Sequence, residues 1–143
     1  MSINNSMTET AEHLKAELSL SLNSYNAPTE YVNHKAWANL IMQLVLLEPG
    51  TYPSTPDMGV GLGNYNFEDI GTYERIILND IKSQISKYLS SIPIEDIVID
   101  TRYSKSTGTY VVFLFSFSED GETSNVAVVA TQKGKLINFE VSL

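Results

Sequence analysis

The sequence predicts an α+β protein in which two main helices pack on a C-terminal four-stranded antiparallel sheet, with an additional N-terminal amphipathic helix. Three observations predict it. Apolar residues recur every three to four positions up to about residue 91, the period shortens to two after Pro93, and short turn-forming pairs separate the β-rich runs that follow. Strands joined by such short turns are antiparallel, which leaves the preceding helices to cover one face of their sheet.

At the N-terminus, Ser6 and Glu9 have the spacing of a capping box, in which each side chain satisfies a free amide of the first helical turn. A short helix to about Ser21 follows. Its apolar stripe is Ala11, Leu14, Leu18 and Leu22, with Glu9, Glu12, Lys15 and Glu17 around it. So narrow a stripe suits docking on a helical partner, with packing back on the same domain as the alternative. Asn23 to Thr29, with Pro28, reads as a linker. The chain therefore divides into an arm, 1–29, and a domain, 30–143.

A second helix is expected from about Glu30 to Leu47, where Trp37, Leu40, Ile41, Leu44, Val45 and Leu47 recur at helical spacing. Pro49 and Gly50 end it, and Pro53, Pro56, Gly59, Gly61, Gly63 and Gly71 keep the next twenty or so residues irregular. Loops of that length inside a domain tend to be functional, so this segment is the first place to look for a site. A third helix is expected from Thr72 to about Ser91, with Tyr73, Ile77, Ile81, Ile85 and Leu89 in one row, Ile76 and Tyr88 beside it, and Asp80, Lys82, Ser83 and Lys87 facing away.

After Pro93, Ile97, Ile99, Thr101 and Tyr103 alternate with Val98, Asp100 and Arg102. Further strands are expected over 110–117, 126–131 and 136–141, separated by Gly108, Asp120-Gly121 and Lys133-Gly134. Val111, Phe113, Phe115 and Phe117 supply one face with large side chains, and that face is expected to receive the third helix.

The hydrophobic share of 43% in 143 residues is enough for one core, and one domain is expected. Seventeen acidic against nine basic residues give a net charge of −8, which repels a nucleic-acid backbone, because Lys82, Lys87, Lys133 and Lys135 are too scattered to form a basic face. There is no cysteine, so disulfides and thiolate metal sites are excluded. No stretch reaches the roughly 20 apolar residues of a membrane span, and Met1-Ser2-Ile3-Asn4-Asn5 has no signal region. The chain is expected to stay soluble, without membrane insertion.

Catalytic signals are weak. Glu48 and Asp57 are the one carboxylate pair that suggests glycoside hydrolysis, but acidic residues beside Pro and Gly more often order turns. His13 and His34 lie on different segments and lack ligands at helical spacing, so no metal is expected. Gly59, Gly61 and Gly63 have no preceding strand to make a phosphate cradle. Positive φ or close backbone approach accounts for them better. Trp37 sits on an apolar helical face, where core packing is a better account than base or sugar stacking. No catalytic, cofactor or metal residue is assigned, and the chain is expected not to be an enzyme.

The run Leu44-Val45-Leu46-Leu47-Glu48-Pro49-Gly50-Thr51-Tyr52-Pro53, followed by Pro56-Asp57-Met58-Gly59-Val60-Gly61-Leu62, resembles the contractile-tail baseplate wedge family, also called lysozyme-like baseplate proteins, which has type VI secretion relatives. Residues of about 31 to 141 follow that family's order of elements. Glu48 and Pro49 resemble the start of its Glu-Pro-Arg motif, with Gly50 in place of the arginine, so the loop's position carries over and its ion pair does not. The resemblance implies a structural role in the virion tail baseplate, assembled in the bacterial host cytoplasm in several copies. Wedge proteins, tail hub or tube proteins and the first-ring sheath protein are the implied partners. The wedge contact is expected at Glu48, Pro49, Gly50, Tyr52, Pro56, Asp57 and Gly59. The sheet extended by sheath strands is expected at Val126, Val128, Ile137, Phe139 and Val141. Two rivals remain: a cell-wall glycosidase, suggested by the family's lysozyme-like name, and an anti-adaptor-type regulatory binding module.

Overall fold

The period-2 half of the chain forms four antiparallel strands in sequence order: β1 (Ile94–Ser104), β2 (Gly108–Glu119), β3 (Glu122–Lys133) and β4 (Leu136–Ser142). The computed structural model describes residues 30–142. The N-terminal arm, with the predicted helix and the stripe Ala11, Leu14, Leu18 and Leu22, lies outside the described residues. Asp120 (φ 53°) and Gly121 (φ 80°) join β2 to β3 with both backbones left-handed, the conformation that matches the twist of the two strands. The register sets Ile97, Phe115 and Val126 side by side on one face, and next to them Ile99, Phe113, Val128 and Val141. Phe113, Phe115 and Phe117 are fully buried, each contributing about 2–3 kcal/mol of hydrophobic stabilisation.

Two helices cover this face. The first, α1 (Glu30–Leu46), lies over β3 and β4; the second, α2 (Ile70–Tyr88), lies against β1. The face expected to receive the third helix receives it together with α1, as two helices packed on one sheet require. In α1, Leu40, Ile41 and Met42 are buried in succession and so occupy more than one side of the helix. One side meets the sheet, while the segment carrying Met58, Val60 and Leu62 closes over α1, Val60 N–H donating to the Leu44 carbonyl. Trp37 is a core residue, 5.4 Å from the Phe117 ring.

By contrast, α2 is one-sided. Ile70, Ile77, Ile81 and Ile85 are buried, yet Tyr73, expected to head that row, is 42% exposed, and Ile76 is 55% exposed. A row built of steps of four drifts roughly 40° per step, so its far end turns out of the interface. Ile70, seven residues before Ile77, takes the inward place, and α2 accordingly starts two residues earlier than expected. Tyr73 instead packs on Tyr65, with ring centroids 5.5 Å apart.

Candidate functional site

The segment between the helices is folded. Short 3-10 turns occupy Leu62–Asn64 and Phe67–Asp69, and Met58, Val60, Leu62 and Phe67 are buried in the core. Its first half is a double-backed turn: Thr51 N–H donates to the Glu48 carbonyl, and Gly50 N–H donates across to the Pro56 carbonyl at 2.9 Å. Gly59 (φ 114°) is the narrowest point, because a Cβ there would lie 2.2 Å from the Leu47 carbonyl oxygen. Only glycine fits that approach.

Two glutamine side chains fasten this segment in the same way. Gly59 N–H donates to Gln84 Oε1 at 2.8 Å, and Gln84 Nε2 donates to the Asp57 carbonyl at 2.7 Å. Eight residues on, Phe67 N–H donates to Gln132 Oε1 at 2.8 Å, and Gln132 Nε2 donates to the Tyr65 carbonyl at 2.7 Å. Each amide bonds two main-chain groups two residues apart, as a neighbouring strand would. One clip comes from α2 and the other from β3. A third brace is outside the core, where Asn64 Nδ2 donates to both carboxylate oxygens of Glu48 at 2.8 and 2.9 Å.

What projects from this anchored frame is a small knuckle on which Glu48, Pro49, Gly50, Pro56 and Asp57 are exposed, with Tyr52 half-buried against the core. Gly59, expected at the same contact, is buried and serves the close approach to Leu47. Lys87 Nζ stands 3.7 Å from Asp57 Oδ2, an exposed pair that adds little stability. Glu48 and Asp57 are therefore both engaged locally, Glu48 bracing the turn through Asn64.

The residues expected to meet sheath strands fall on two different strands. Val126 and Val128 point into the core from β3, whose main chain is paired with β2 on one side and β4 on the other. Ile137, Phe139 and Val141 lie half-buried on β4, which with β1 forms one of the sheet's two edges. His34 is buried, stacked on Phe117 at 5.7 Å, and its Nε2 is 3.7 Å from Glu119 Oε2. Among the described residues, no three His, Cys, Asp or Glu side chains gather as a metal site.

No family model, curated protein or solved structure matches this chain.

Sequence reasoning passed over Gln84, Gln132 and Asn64. A signal existed for Gln132, which occupies an inward position of β3 in alternation with Val126, Val128 and Ala130, where a polar side chain needs a partner. Gln84 stands one residue before the buried Ile85 on α2, a weaker signal. On the outer face of the sheet, Arg102 Nε donates to Asp100 Oδ2 at 2.8 Å, and this hydrogen bond, with the attraction of the Asp100 charge, raises the guanidinium above its ordinary value. Among the described residues, no helix is long and apolar enough to cross a membrane.

Proposed function

We propose that this chain is a structural component of a contractile-tail baseplate, joining wedge proteins around the hub and starting the sheath by strand addition. The observation that carries the reading is the exposed knuckle at Glu48-Pro49-Gly50 and Pro56-Asp57. The segment that resembles the family's motif has its backbone pinned to α2 by Gln84 and its tip braced by Asn64, so it offers a preformed surface. A surface ordered in advance loses little conformational freedom on binding, which suits a part that seats its neighbours. The open edges of the sheet support the second half of the reading, since an edge strand carries unpaired N–H and C=O groups that an incoming strand can satisfy.

On this reading the knuckle contacts wedge proteins and a sheet edge meets the first-ring sheath protein. Tail hub or tube proteins lie beside them, and several copies occupy a symmetric virion baseplate assembled in the bacterial host cytoplasm. The test is a triple substitution at exposed positions, Glu48→Lys, Pro49→Ala and Asp57→Lys. The purified variant is expected to keep its circular dichroism spectrum, while particles assembled with it lack complete tails under the electron microscope. Normal tails from that variant overturn the proposal.

A further inference from the structure

The two edges of the sheet are unlike each other, and the difference selects one of them. Among the described residues, β1 is paired only with β2, and β4 only with β3. β1 is 11 residues long against 7 for β4. Beside β1 runs a groove of about 420 Å³ between the C-terminal half of α2 and the first residues of the strand. Its floor is aliphatic, formed by Ile85, Ile92 and Ile97; Lys82 and Ser86 of α2, with Ser90 just past the helix end, line one rim, and Ile94, Glu95 and Asp96 of β1 the other. The hollow at β4 is smaller, about 220 Å³, and lies at the start of that strand. A groove of the first size is within the range of ligand-binding clefts, roughly 300–1,000 Å³.

An extended segment laid against β1 would point alternate side chains to opposite faces of the sheet. Those on the helix side enter the aliphatic groove. Those on the outer face come beside Asp96 and Asp100, which alternate there with Val98. Asp100 is already bonded to Arg102, and Glu95 accepts from Thr123 Oγ1 at 3.2 Å, which leaves Asp96, exposed, next to the bulge at the start of β1 and also at the rim of the groove, as the stronger attraction for a cation. The same acids oppose two β1 edges meeting, so a second copy is a poor occupant of this net-acidic chain.

We propose that the β1 edge and the groove between β1 and α2 together receive an extended segment of a partner chain whose side chains alternate aliphatic and basic. Main-chain hydrogen bonds to β1 supply the attachment, and the groove and Asp96 select the sequence. The inference deepens the strand-addition reading of the preceding subsection and rests on it, naming the edge and the chemistry of the incoming strand.

The test uses the full chain and three ten-residue peptides: one alternating Val and Lys, one with two of its Val replaced by Pro, and one with Glu in place of Lys. Calorimetry gives affinity, and amide exchange by nuclear magnetic resonance gives location. The Val-Lys peptide is expected to slow exchange at amides within 94–102 and not within 136–142. The Pro and Glu peptides should bind at least about tenfold more weakly. Ser86→Trp and Ser90→Trp, which fill the groove from exposed positions without touching the core, should each cost about tenfold with melting temperature unchanged. Slowed exchange on β4 alone overturns the choice of edge and leaves strand addition standing. Equal binding of the Pro peptide overturns main-chain attachment, equal binding of the Glu peptide overturns the role of Asp96, and no effect of either Trp variant overturns the groove. Self-association through β1 in sedimentation overturns the choice of occupant. No slowed exchange on either edge overturns both this inference and the strand-addition reading.

Discussion

The sheet and the inter-helical segment are both rigid, but they are held by different physics. In the sheet, every strand is ordered by its neighbour's main chain, and the side chains that matter are large, apolar and numerous, so the structure depends on volume. In the segment from Glu48 to Asp69 the main chain has little regular pairing of its own, and long-range order comes from Gln84 and Gln132, each standing in for a strand. A few polar atoms thus determine where the exposed knuckle points. The comparison teaches that a Pro- and Gly-rich stretch need not be irregularly held: Gly59 allows close approach, and distant amides then fix the result.

Three substitutions sharpen that contrast, in falling order of effect. Phe115→Ala, in the middle of the inner sheet face, removes a ring with no exposed surface and should cost about 3–5 kcal/mol, read as a lowered urea midpoint with the whole fold affected. A loss under about 1 kcal/mol would mean that the core is not organised around the β2 phenylalanines. Gly59→Ala joins the two regions, because its methyl group would meet the Leu47 carbonyl and its φ is unfavourable for any side chain. About 3 kcal/mol is expected, from backbone strain and displacement together, and a variant as stable as the parent would show that the segment has another resting place. Gln84→Ala leaves the Gly59 N–H and the Asp57 carbonyl without their partner and should cost about 1–3 kcal/mol. Its signature is local: faster amide exchange at Gly59, with exchange in β2 and β3 unchanged. Uniformly faster exchange would count against the glutamine acting as a clip.

Much of the fold was legible because it is written in short-range periodicity. The four strands follow from alternation and from turn pairs such as Asp120-Gly121, whose left-handed backbones the structure displays. The two described helices follow from apolar spacing. What was less legible is which residue of a row faces inward, as Tyr73 and Ile76 illustrate, because a drift of roughly 40° per step of four is settled by what lies opposite the helix. The candidate site was legible by position alone. Glu48, Pro49, Gly50, Pro56 and Asp57 do share one exposed surface, whereas Gly59 and the inward pair Val126 and Val128 are covered. Periodicity marks where an element turns its apolar side and carries no information about how many neighbours will cover it.

The sequence by itself determined the α+β class, the antiparallel order of the strands and the break at Pro49-Gly50, because each depends on conformational preferences and hydrophobic spacing within a few residues. Only the tertiary structure decided that α1 is covered on more than one side, that two glutamines from α2 and β3 hold the intervening segment, and that the groove beside the open edge of β1 is larger than the hollow at β4. The glutamine bonds join residues 25 to 67 positions apart. A side chain that bonds or packs across such a distance leaves no local pattern, since its partner is chosen by the folded geometry and not by its neighbours in the chain.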